Sequence, residues 1–220
     1  MLTFAEEILL IALDDETGKF VSMGTQGLAY PLAGAVLMDL ALRSKIDADL
    51  EKVVVIDSAS TGEPLLDGPL QQIASSPEPR SARQWLGRLV PDADVIEEQA
   101  LARLVERGIL RREDRKILWV FSERRYPTVD DTEEKEVKRR LVDILMSDEI
   151  PTPRDVALIA LVDACELLGA VLSAREVERV APRVEQIRKL DLIGQAMTDA
   201  VWNLRLEIAK SIAGTPGISY

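Results

Sequence analysis

The chain contains no histidine and only one cysteine, Cys165. Without histidine it lacks the usual general base near neutral pH and the commonest transition-metal ligand. One cysteine and no histidine exclude a structural zinc site, and exclude a Ser/His or Cys/His nucleophilic dyad. A lone cysteine cannot form a disulfide within the chain, so nothing in the composition argues for secretion. Cys165 lies in an apolar run and reads as a small core residue. Carboxylate chemistry and a magnesium site stay open on composition alone.

Aromatic residues are scarce, at 4%. The core must then be built from Leu, Ile, Val and Ala, a mixture that favours helix over strand. Long hydrophobic runs are also missing. The two longest, Leu28–Leu42 and Val156–Leu172, are interrupted by Pro31 and Asp39 and by Asp163 and Glu166. Both fall short of the roughly 18–20 residues a membrane span needs. The opening MLTFAEEILLIALDD carries Glu6 and Glu7 with no basic region, so it does not read as a signal peptide. The expected location is therefore cytoplasmic.

What is present is a globular composition: 220 residues, 47% apolar and 30% charged, with net charge −11. The charge is uneven. Residues 1–60 hold 10 acids and 4 bases, whereas residues 77–125 hold 9 acids and 11 bases. A basic middle within an acidic chain points to one face for an anionic partner, or equally to solvated helix faces.

Read along its length, the chain predicts a mainly α single domain over 1–213, a central helical bundle with a few short β-hairpins, and a mobile tail at 214–220. Thr3-Phe-Ala-Glu6 is a capping box opening a helix to about Leu13. Residues 19–23 suit a short strand. Residues 28–43 form an apolar central helix with Pro31 in its first turn. Lys45–Ala48 and Val53–Ile56 are extended. Helices follow at 65–74, 82–89 and 92–107. Ile109–Leu110 and Ile117–Phe121 then read as the two sides of a hairpin with a charged tip. Further helices are predicted at 133–146, 152–172, 174–188 and 193–212.

No phosphate-binding glycine loop is recognisable, because Gly24-Thr-Gln-Gly27 lacks the residues of a P-loop or dinucleotide fingerprint. No cofactor is expected. Asp163 and Glu166, three apart, would share a helix face, where they could act as paired acids or pair with an arginine. Asp39 is read the same way. The helix ending at Gly108 followed by a hairpin has the outline of a winged helix, with Arg103, Arg107, Arg111, Arg112, Arg115, Lys116, Arg124 and Arg125 available for phosphates. A net charge of −11 argues against nucleic acid. Lys138, Arg139 and Arg140 form a basic cluster among Glu133, Glu134, Glu136 and Asp143, suited to i,i+4 pairing or to holding a phosphate.

The order of several short motifs resembles the Golgi phosphoprotein 3 family. They are Leu2-Thr3-Phe4-Ala5-Glu6-Glu7, Leu32-Ala-Gly-Ala-Val-Leu-Met-Asp-Leu-Ala-Leu-Arg43, Thr61-Gly-Glu-Pro-Leu-Leu-Asp67, Leu104-Val-Glu-Arg-Gly-Ile-Leu110, Arg140-Leu141, the run from Asp155, and Val201-Trp202. The resemblance spans about residues 2–205. It implies a non-enzymatic adaptor. Eukaryotic members are peripheral Golgi proteins that bind phosphatidylinositol 4-phosphate and the cytosolic tails of membrane proteins, and some form homo-oligomers. By the same resemblance, the headgroup candidates here are Gly24, Ala33, Lys138, Arg139 and Arg140. Gly24 and Ala33 occupy the positions of the family's Trp and Arg, and Val137 occupies that of a second basic residue. The expected affinity for an anionic headgroup is therefore weak. The short start, without a basic extension, reads as that of a prokaryotic relative.

Overall fold

In the computed structural model the described residues are 1–14, 17–20, 27–48, 52–117, 121–164 and 166–190. Gly24, Cys165, the predicted helix at 193–212 and the tail at 214–220 lie outside them.

The chain begins with the predicted cap. Thr3 Oγ1 accepts from Glu6 N, and the Glu6 carboxylate accepts from Thr3 N at 2.6 Å, which starts helix α1 (Phe4–Ala12). The sequence that follows is apolar on every side, so α1 has no face to give to water. All nine of its residues are buried. Helix α2 (Ala29–Leu42) is nearly as apolar and lies against it, buried from Pro31 to Ala41. These two helices form the centre of the mainly helical domain that the composition predicted.

The other elements cover them. Strands β1 (Ile46–Ala48) and β2 (Val53–Val55) pair antiparallel, with Ile46 opposite Val55. Helix α3 (Pro64–Ala74) starts on a proline, whose missing N–H costs nothing in a first turn. Helix α4 (Ala82–Leu89) packs on α2. Helix α5 (Ala93–Glu106) packs on both α1 and α2. Helix α6 (Thr132–Met146) lies on α1, α7 (Pro153–Ala164) on α2, and α8 (Ala174–Leu190) on α6 and α7. One continuous hydrophobic core runs from Leu2 to Ile187.

Two predicted elements differ in detail. The hairpin after α5 pairs β3 (Glu113–Ile117) with β4 (Phe121–Arg125), so the charged stretch expected at its tip forms a strand. Ile109 and Leu110 are instead drawn into the core, at 4% and 2% exposure, and Leu110 bridges to Thr128. The register then sets Glu113 opposite Arg125, Asp114 opposite Arg124 and Arg115 opposite Glu123. The second difference lies in the run expected to be helical to Leu172, since α7 stops at Ala164. Glu166 takes a left-handed conformation (φ 58°), and a short 3-10 turn (Leu167–Ala170) buries Leu167 and Leu168. Asp163 and Glu166 therefore do not share a helix face.

Gly18 fixes a turn against the far side of the hairpin. It has φ +64°, its carbonyl accepts from Tyr126 N at 2.9 Å, and a Cβ there would sit 3.0 Å from Pro127 N. Only glycine meets both demands.

Candidate functional site

The basic triplet lies on α6, whose inward face is Glu134, Val137, Leu141 and Leu145. A helix turns 100° per residue, so with Val137 and Leu141 inward, Lys138 and Arg140 fall on the two flanks and Arg139 points out. The flanking cations reach down to buried acids. Lys138 Nζ donates to Glu134 Oε1 at 2.8 Å and to the Leu13 carbonyl at 3.2 Å, close to the end of α1. Arg140 Nη2 donates to Glu7 Oε1 at 2.7 Å. Its Nε lies 3.1 Å from Asp155 Oδ1, at ion-pair distance but without hydrogen-bond alignment. Arg139 alone is exposed, and it has no hydrogen bond or ion pair among the described residues.

Beneath α6 the charges form a network. Glu7, at 3% exposure, also accepts from Arg154 Nη2 at 3.1 Å. Arg154 donates to the Leu2 carbonyl at 2.8 Å and lies 4.2 Å from the centre of the Phe4 ring. Asp39 of α2, at 1% exposure, accepts from Phe4 N at 2.6 Å. Its Oδ1 sits 3.5 Å from Arg154 Nη1 and 3.8 Å from Arg43 Nε, again without hydrogen-bond alignment. Glu6, fully buried, lies 3.2 Å from Arg103 Nε, and Arg103 also pairs with Glu63. Three buried carboxylates at the α1–α2 junction are thus held by Arg43, just after α2, and by arginines from α5, α6 and α7.

The electrostatics follow from this geometry. Burial pushes the Asp39 carboxyl up to about 6, although the Phe4 N–H and the Arg154 and Arg43 charges pull it down. Burial opposes the Arg140 charge, but Glu7 and Asp155 outweigh it and hold the guanidinium above its ordinary range. Such a network ties helices together more readily than it performs chemistry. Its acids face arginines rather than a cleft. One cleft of about 380 Å³ lies between the start of α3 and α5, and its cations Arg103 and Arg107 are both committed to carboxylates. Among the described residues, no group of three acids or cysteines is placed to hold a metal ion, and no helix is long and apolar enough to cross a membrane.

The remaining sequence-derived candidates are scattered. Ala33 is fully buried in α2, so this position presents no side chain to a ligand. Val137 is likewise buried, against the core. On the winged-helix outline, the outer face of α5 carries Asp94, Glu98 and Glu106, while Arg103 and Arg107 are paired with Glu6, Glu63 and Glu133. Sequence reasoning gave no site role to Glu7, although it lies in the opening motif, nor to Arg154. The available signal was the absence of any polar face in the α1 helix, which obliges both of its glutamates to be buried with partners.

A mainly helical domain centred on two buried helices, clamped by acids at their junction, is the class of protein the fold defines. A family model described as Golgi phosphoprotein 3 (GPP34) matches residues 4–204, and the chain belongs to that family. Two relatives carry the name vacuolar protein sorting-associated protein 74. The one from Eremothecium gossypii is 27% identical over 213 residues, which cover 81% of this chain and 63% of the relative. The one from Schizosaccharomyces pombe is 30% identical over 167 residues, covering 66% of this chain and 49% of the relative. In both, the match spans less than two thirds of the relative's length.

Proposed function

We propose that this chain is a non-enzymatic adaptor, located in the cytoplasm and peripherally at an anionic membrane surface, that holds cytosolic tails of membrane proteins there. Family membership supports the adaptor role. The observation that carries the lipid contact is the division of labour on α6. Lys138 and Arg140 are fixed by buried acids, and Arg139 is left exposed between them to meet a headgroup.

The same reading sets its strength. A hydrogen bond to a charged group contributes roughly 1.5–3 kcal/mol. With alanine and valine at two positions where the resemblance expects cations, a phosphoinositide loses two such bonds, a weakening of at least about a hundredfold. Binding then rests on long-range attraction, which salt screens. Co-sedimentation with phosphatidylglycerol or phosphatidylinositol 4-phosphate vesicles should show weak binding at low salt, similar for both lipids and lost at high salt. No sedimentation at low salt with either lipid would remove the membrane part of the reading. Selective, salt-resistant binding of the phosphoinositide would overturn the argument from the missing cations.

The nucleic-acid alternative is disfavoured by the acidic outer face of α5. A homo-oligomer is compatible with the adaptor role, and light scattering across a concentration series tests it.

A further inference from the structure

Helix α4 begins with a second capping box, in which Ser81 Oγ accepts from Gln84 N and Gln84 Oε1 accepts from Ser81 N at 2.9 Å. Ala82, Trp85, Leu86 and Leu89 point into the core. The outward stripe is Arg83, Gln84, Gly87 and Arg88, all exposed. Arg83 has no hydrogen bond or ion pair among the described residues, and Arg88 makes only a ring contact with Trp85. The acid one turn after Arg88, Asp92, accepts from Gln72 Nε2 at 3.2 Å instead. In a chain of net charge −11, two exposed arginines left without carboxylate partners need a reason.

Three further features adjoin this stripe, through the helix itself, the Trp85 ring and the Arg80–Val53 hydrogen bond. Arg80 lies beside the cluster, half-buried, with Nη1 donating to Ser76 Oγ and to the Glu78 carbonyl. Its backbone carbonyl accepts from Val53 N at 2.7 Å, which fastens it to β2. Arg80 and Arg88 lie 5.6 and 5.9 Å from the Trp85 ring centre, so the buried indole steadies both guanidinium groups. Gly87 sits within the helix, where glycine costs stability relative to alanine, yet a Cβ there would meet open space. Packing does not require this glycine, and its effect is to leave the helix surface flat between Arg83 and Arg88. Beside Arg80, β2 buries Val53 and turns Val54 outward at 36% exposure, and Ile56 just beyond it is 60% exposed.

We propose that this α4–β2 face is a second contact surface for an anionic membrane, in which Arg83 and Arg88 meet lipid phosphates while Val54 and Ile56 enter the interfacial layer. Guanidinium groups match phosphate geometry. Free phosphate or a nucleic acid would use the arginines but would gain nothing from exposed aliphatic side chains, whereas a lipid interface uses both. The overall negative charge makes the contact directional, because an anionic membrane attracts an arginine-bearing face and repels the acidic ones. The inference rests on the membrane-associated reading above and assigns part of the attraction to α4 instead of α6.

The test is vesicle co-sedimentation of the full chain with phosphatidylcholine vesicles, with and without phosphatidylserine, at low salt. The double variant Arg83→Gln, Arg88→Gln should lower the partition coefficient about 30-fold, at ~1 kcal/mol per arginine. Ile56→Ser should lower it further, and Arg139→Gln by itself less than the double variant. Circular dichroism confirms that each variant is folded. If Arg139→Gln abolishes binding while the double variant binds like the parent chain, the α6 reading stands and this inference falls. If the parent chain binds no vesicles, both fall. Competition by millimolar inorganic phosphate, or a mobility shift of duplex DNA lost in the double variant, would reassign the arginines to a different anion and overturn the proposal.

Discussion

Replacing Asp39 with asparagine should change the pH dependence of stability by an amount the structure sets. The Asp39 carboxyl is raised from 3.8 to about 6 because burial penalises its charge more than Phe4 N, Arg154 and Arg43 favour it. Between these two values the folded chain holds a proton that the unfolded chain has released. The Asp39 contribution to stability therefore falls as pH rises from about 4 to about 6, and above that the ionised group costs about 3 kcal/mol. An amide cannot ionise, so Asp39→Asn lacks this slope. Whatever the amide costs in packing is the same at every pH and cancels when the two proteins are compared across pH. Urea denaturation of both proteins at pH 5.0 and 7.5 gives the comparison. The stability of the variant relative to the parent should improve by about 1.4 kcal/mol between those pH values, the part of the full shift that lies in this window. A relative stability that stays flat, or worsens toward pH 7.5, would refute the claim that desolvation dominates at this carboxylate.

Three further perturbations test the frame around it. Glu7→Gln should destabilise the fold by about 1.5–3 kcal/mol in urea melts, because it removes the charge that Arg140 and Arg154 share and leaves them only Asp155 and Asp39 as acidic partners. Thr3→Ala removes the hydroxyl cap of α1 and should cost about 1 kcal/mol by the same assay. Gly18→Ala should cost more than Gly62→Ala in thermal melts. Both glycines have positive φ, at +64° and +79°, but only at Gly18 would the new Cβ press on backbone, whereas at Gly62 it meets open space.

Local signals were legible in the sequence where the chemistry is local. The Thr3–Glu6 cap, Pro31 in the first turn of α2, the helix end at Gly108 and the boundaries of α4 all depend on neighbours within a few residues. The two misjudged stretches depend on distant ones. Ile109 and Leu110 look like strand residues until the core claims them, and the left-handed turn at Glu166 serves to bring Leu167 and Leu168 inward. The fate of the α6 cations was hidden for the same reason. Arg140 and Glu7 are 133 residues apart, and Lys138 meets the Leu13 carbonyl across 125. A helical wheel of α6 shows Glu134 one turn from Lys138, but it cannot show Glu7 or Asp155.

This distinction bears on what the motifs mean. The residues that carry the family resemblance include Glu6, Glu7, Arg43, Asp155 and Arg140, and in the structure these are members of the buried ion network. Thr61 and Asp67 do comparable work, since Thr61 N and Oγ1 both donate to Asp67 at 2.6 and 2.7 Å, locking the turn before α3. These motifs therefore describe how the α1–α2 centre is clamped, a requirement of the fold whatever the chain binds. A buried charge tolerates few replacements, because removing one partner leaves the other uncompensated in a medium that cannot solvate it. An exposed arginine such as Arg83, Arg88 or Arg139 is under no such constraint from the fold. Its position is set by what approaches from outside, and that is where the binding differences between members of one fold family can reside.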